Sequence, residues 1–148
     1  MTPRWSARLV LLAAGIVLVG IGLGAGFATT WFYAEYGIAL DGDVQLMSEL
    51  RAAGFALLLL GSVVGTSAFR PRLTTAGATI GAVVLLGYAG GRLLSWAVDG
   101  APSTSTAVAG AVELVLGIGC ASVLLLQRRD ASTDAPGRTS PVPSRGSG

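Results

Sequence analysis

The chain has 148 residues, enough for one domain, and only 12% of them are charged, about half the share usual in soluble proteins. With a mean hydropathy of +0.69, this excludes an ordinary water-soluble globule and points to a membrane protein. The net charge of +2 is small and its ten basic residues are scattered, which excludes a nucleic-acid surface.

Every basic residue is Arg. Together with the Ala, Gly and Val load, this suggests a GC-rich bacterial genome. There is no His, which removes the commonest general base and metal ligand. The single cysteine, Cys120, has no internal disulfide partner and reads as a small packing residue within an apolar run.

In chain order, Arg4, Trp5 and Arg8 precede a run from Leu9 to Phe32 that carries no charge over 24 residues. At helical rise it spans about 36 Å, more than the hydrocarbon core of a bilayer. Gly26 and Ala28 raise the alternative of a cleaved signal peptide, but the run is far longer than such a peptide's apolar core. Tyr33 to Glu49 is a polar loop. Its Asp41-Gly42-Asp43 lacks the further ligands of a calcium loop and reads as a turn with Asp43 as a helix N-cap.

The second apolar run, about Leu50 to Phe69, has Arg51 near its start and ends at Arg70-Pro71-Arg72. The third, Leu73 to Val98, is broken only by Arg92. Asp99 to Pro102 then turns the chain, and Ser103 to Thr106 offers caps to the fourth run, Ala107 to Leu126, which contains Glu113. From Asp130 to Gly148 almost nothing is apolar, and a disordered tail is expected.

The predicted fold is therefore all-α: an antiparallel four-helix transmembrane bundle over residues 1–129, with spans near 9–32, 50–69, 73–98 and 107–126, and a cytoplasmic tail over 130–148. Arg4, Arg8, Arg70, Arg72, Arg128, Arg129, Arg138 and Arg145 fall on one side, against Asp130 and Asp134. The other side holds Glu35, Asp41, Asp43, Glu49, Asp99 and Glu113 against Arg51 and Arg92. This Arg bias puts both termini in the cytoplasm. Gly20/Gly24, Gly22/Gly26, Gly61/Gly65, Gly77/Gly81 and Gly87/Gly91 repeat a four-residue spacing that lets helices approach closely in lipid.

Depth gathers the unusual residues at the outer end. Arg92 lies 19 residues past Leu73, about 28 Å along its helix. Arg51 opens the second helix on that side, and Glu113 lies about 9 Å below the outer end of the fourth. Tyr88, Arg92, Ser95, Trp96 and Asp99 share one helical face; Gly110, Glu113, Gly117 and Cys120 share another, expected to point inward. A charge inside a span costs a few kcal/mol unless paired, so Glu113 is expected to meet Arg51 or Arg92. Either this pair simply locks helices, or it floors a ligand pocket or proton site. Tyr88, Trp96, Trp31, Tyr33 and Tyr36 read as an interfacial aromatic belt. No nucleophile elbow or metal-ligand cluster is present, so the reading leans away from an enzyme.

Ser48-Glu49-Leu50-Arg51-Ala52-Ala53-Gly54, Gly91-Arg92, Asp99-Gly100-Ala101-Pro102 and Glu113-Leu114 occur in an order and spacing that resembles a known family. It comprises small bacterial four-span membrane proteins of the domain-of-unknown-function (DUF) 4345 type. The resemblance covers about residues 8 to 128 and departs at Phe55, where the family often has Gly. It implies the four-span fold and the importance of Arg51, Arg92, Asp99 and Glu113, and no reaction. The expected function is non-catalytic: an outer polar pocket around Glu49, Arg51, Arg92, Asp99 and Glu113 that binds a small or lipid-like molecule or supports a membrane partner protein. The alternative is a proton-linked transporter using Glu113. No cofactor, metal or nucleic acid is implied; the lipid bilayer is the expected partner, in the bacterial plasma membrane, and a homo-oligomer stays open.

Overall fold

In hydrocarbon a single unpaired segment satisfies its backbone only as a helix, and the four apolar runs obey that constraint. The structure, a computed structural model, describes residues 4–40 and 42–133, with side chains described over 5–40 and 42–129. Expectations for Asp41, for the side chains of Arg4 and Asp130, and for residues 134–148 of the tail lie outside the described residues. The elements are α1 (Arg4–Phe27), α2 (Thr29–Ala34), α3 (Val44–Ser67), a 3-10 turn (Pro71–Leu73), α4 (Thr74–Asp99) and α5 (Thr104–Thr133). No strand occurs among the described residues, and α1, α3, the turn-plus-α4 segment and α5 are each long and apolar enough to cross a membrane. The protein is a multi-pass, all-α membrane protein.

The element ends have local causes. The first apolar run is interrupted at Ala28, whose backbone leaves helical geometry (φ −116°, ψ 40°). Thr29 donates its hydroxyl to the Ala25 carbonyl at 2.7 Å, and the Phe32 ring packs over Gly24 across the break, where a Cβ would overlap it. α3 starts six residues before Leu50 because Asp43 accepts from the Leu46 N–H at 3.0 Å, a side-chain N-cap. Pro71 opens the 3-10 turn. Gly100 closes α4 at φ +105°, a backbone state that disfavours any side chain. Ser103 accepts from the Thr106 N–H at 3.3 Å and caps α5, which continues past Arg128 and Arg129 to Thr133.

The long helices pack as two pairs, and the first is held by backbone-to-backbone approach. A Cβ built on Gly15 would lie 2.5 Å from Gly65 Cα, one on Gly22 2.5 Å from Leu58 N, and one on Gly54 2.6 Å from Gly26 N. These contacts climb α1 while descending α3, so the two helices run in opposite senses. On α4 and α5, Thr75 bonds Gln127 at 2.8 Å, Gly81 abuts Cys120, Leu86 abuts Gly117, and Arg92 meets Glu113; these too are opposed. Gly77 against Ser67 links the pairs through α3 and α4, and Gly119 near Val10 links them through α1 and α5.

Leu11, Leu18, Val64, Leu85 and Cys120 form the buried centre. Large apolar side chains also point outward from every long helix: Ile16, Leu59, Val83 and Val115 are each about two-thirds exposed. An apolar exterior around a packed interior is the inverse of a water-soluble bundle and fits immersion in lipid.

Candidate functional site

The end of the bundle where α4 gives way to α5 holds the one buried carboxylate among the described residues. Glu113 shares its helical face with Gly117 and Cys120, and that face points into the bundle; Glu113 is 2% exposed. Arg92 crosses from α4 and meets it side-on. Nε donates to Oε2 at 2.8 Å and Nη2 to Oε1 at 3.2 Å, so both carboxylate oxygens are engaged. Gly110, one turn before Glu113, makes room for the approach: a Cβ there would lie 3.2 Å from Arg92 Cδ.

The guanidinium is only half used. Its Nη1 takes no part in the pair, and 29% of the Arg92 side chain remains exposed. Arg92 borders an open groove of about 980 Å³ between α3 and α4, whose walls include Ala53, Leu57, Gly87, Tyr88 and Trp96. On its other flank, Arg92 and Trp96 also line an apolar pocket of about 220 Å³ against α5, with Leu93, Pro102 and Leu114.

Three phenols lie in this electrostatic neighbourhood. Burial raises the Tyr33 phenol above its ordinary pKa; nearby Tyr88 and Tyr36 raise it further, and Arg92 opposes them. Tyr33, Tyr36 and Tyr88 therefore sit close enough to Arg92 to feel one another, although they come from α2, the loop after it and α4. Phe32 packs edge-on against Tyr33 and tilted against Tyr36, which orders this corner.

The remaining predicted site residues do not bond the pair. Arg51 is exposed and donates from Nε to the buried Thr29 hydroxyl at 3.3 Å, so it ties α3 to the α1–α2 break rather than to Glu113. Asp99 is exposed and accepts from the Ser95 hydroxyl at 2.7 Å. Glu49 is exposed on the polar opening turns of α3. Of the five residues, the structure joins Arg92 and Glu113 directly, places Asp99 in the lining of the groove that Arg92 borders, and leaves Arg51 and Glu49 outside that lining. The role of Thr29 was not anticipated, whereas Gly110 was expected on the inward face of its helix and the three tyrosines in an aromatic belt on this side. A hydroxyl in an otherwise apolar run was the one available signal, at Thr29.

Among the described residues, no three His, Cys, Asp or Glu side chains gather as a metal site. What the arrangement offers chemically is a fixed guanidinium edge and the Tyr88 phenol beside apolar walls. Such a surface hydrogen-bonds an acceptor on an otherwise apolar molecule.

Residues 6–125 match a family model described as Domain of unknown function (DUF4345). No curated protein and no solved structure matches the chain.

Proposed function

The chain belongs to the DUF4345 family, and on that premise we propose that it is a non-catalytic protein of the bacterial plasma membrane whose outer groove binds a small or lipid-like molecule. In this reading both termini are cytoplasmic and the Arg92 end faces outward, which the Arg bias supports. The observation that carries the reading is the state of Arg92. One edge of its guanidinium is anchored by the buried Glu113; the other is left toward a groove of about 980 Å³ with apolar walls. A preorganised donor beside apolar surface suits an amphiphile with one acceptor group. A membrane partner protein seated in the same groove would use the same contacts.

The test is lipid extraction from purified wild-type and Arg92→Gln protein, followed by mass spectrometry. A species retained by the wild type and lost from a folded Arg92→Gln variant is the expected result. Identical extracts from both would overturn the reading. A buried carboxylate in a span also supports a second reading, proton-linked transport through Glu113. Proton flux in reconstituted vesicles that Glu113→Gln abolishes would favour it.

A further inference from the structure

The end of the bundle opposite Arg92 contains a second, separate cleft of about 520 Å³. It lies at the seam between the α1–α3 pair and the α4–α5 pair, bounded by α1, the turn before α4, and α5. Its depth is apolar, with Val10, Leu11 and Val123; its rim carries Arg8, Thr74 and Gln127. This volume falls within the range of about 300–1,000 Å³ usual for small-molecule sites.

The rim chemistry is selective. Thr75 donates to Gln127 Oε1 at 2.8 Å, which occupies the amide's acceptor and leaves its N–H groups for another partner. Arg8 adds a guanidinium that has no acceptor capacity. Arg70, Arg72, Arg128 and Arg129 lie at the same end, and the described carboxylates Glu35, Asp43, Glu49, Asp99 and Glu113 all lie at the other. The rim thus presents donors within a positive field, above an apolar slot.

We propose that this cleft binds one anionic glycerophospholipid. Its phosphodiester sits on Arg8 and the Gln127 amide, and an acyl chain runs along Val10, Leu11 and Val123. A phosphodiester only accepts hydrogen bonds, so it matches the rim group for group. A zwitterionic choline headgroup brings its own cation into the Arg field and is disfavoured. Basic pockets between helices on the Arg-rich side of a membrane protein are suited to such headgroups.

The test is native mass spectrometry of the full chain in detergent, titrated with dioleoyl phosphatidylglycerol or dioleoyl phosphatidylcholine. The wild type is expected to form a one-to-one adduct with phosphatidylglycerol about tenfold more tightly than with phosphatidylcholine. Arg8→Gln should remove that preference. Arg72→Gln makes the same charge change outside the cleft lining and should keep it. Ser122→Phe projects bulk into the cleft without altering charge and should also remove it. Equal affinity of the wild type for both lipids overturns the proposal. So does an equal loss from Arg8→Gln and Arg72→Gln, which would mean diffuse surface attraction only. If Arg8→Gln does not fold, Ser122→Phe decides: a retained preference overturns the site. Neither Arg8 nor Ser122 lines the groove at Arg92, so the outcome is independent of that groove.

Discussion

Arg92 and Glu113 satisfy each other from unequal depths: the glutamate side chain is 3% exposed, while the arginine side chain that engages both of its oxygens stays 29% exposed. The inequality matters because the two members of the pair have different alternatives. Arg92 has a long apolar stem and a groove into which its head can swing. Glu113 is short, faces the bundle interior and, among the described residues, is paired with no second cation; Arg51 is engaged at Thr29.

The first prediction is an asymmetric double-mutant cycle. Arg92→Gln leaves Glu113 without its partner in a buried site and should cost on the order of 3–5 kcal/mol of bundle stability. Glu113→Gln frees an arginine that can turn into the groove, and it should cost less. The double variant should be more stable than the sum of the two losses implies. Thermal unfolding in detergent measures all three. Arg51→Gln should combine additively with Glu113→Gln; strong coupling there would mean the pairing is wrong.

The second prediction separates glycines that hold helices together from glycines that merely repeat. Gly22→Ala places a methyl 2.5 Å from Leu58 N, a backbone atom that cannot rotate away. Overpacking of this kind costs roughly 1–3 kcal/mol. Gly20→Ala meets nothing within 4 Å and should be neutral or stabilising, because Ala is the better helix former. Equal melting temperatures for the two variants would remove the α1–α3 glycine contact as a source of stability.

How much of this was readable in advance depends on what spacing encodes. Run length and the absence of charge identify the four long helices, since lipid leaves the backbone no other option. Depth along the helix brings Arg92 and Glu113 to one level, because rise per residue is constant. Rotation is not encoded in the same way. Arg51 and Arg92 are both long enough to reach Glu113, and only packing assigns Arg92 to it. Spacing likewise groups Gly87 and Gly91 with Gly61 and Gly65, yet Gly87 and Gly91 face open space while Gly61 lies against α1. The α1–α2 break and the packing of Phe32 against Tyr33 and Tyr36 depend on the loop's path, which no periodicity records.

The third prediction concerns orientation. The described Arg residues outside the Arg51 and Arg92 region cluster at one end, and this bias should set topology during insertion. Reporter fusions within Arg70–Arg72 should report cytoplasm, and fusions in Gly100–Pro102 should report the outside. A cytoplasmic signal from the Gly100 turn would invert the proposed outer groove.

The last prediction is that Thr29 and Arg51 act as one unit. The Thr29 hydroxyl donates to the Ala25 carbonyl at 2.7 Å and accepts from Arg51 Nε at 3.3 Å. A single buried hydroxyl thus serves the backbone at the α1–α2 break and a cation two turns into α3. Thr29→Val keeps the shape and removes both bonds, and it should cost about 1–2 kcal/mol. Arg51→Gln removes only the second bond from an exposed partner and should cost less. If the hydroxyl is the shared centre, the double variant should lose little beyond Thr29→Val alone, because Arg51 has already lost its acceptor. The consequence should also be local: amide hydrogen exchange should rise at 28–34 and stay unchanged around Gly81 and Cys120. Uniformly faster exchange across all helices would show that Thr29 supports global packing instead of the break.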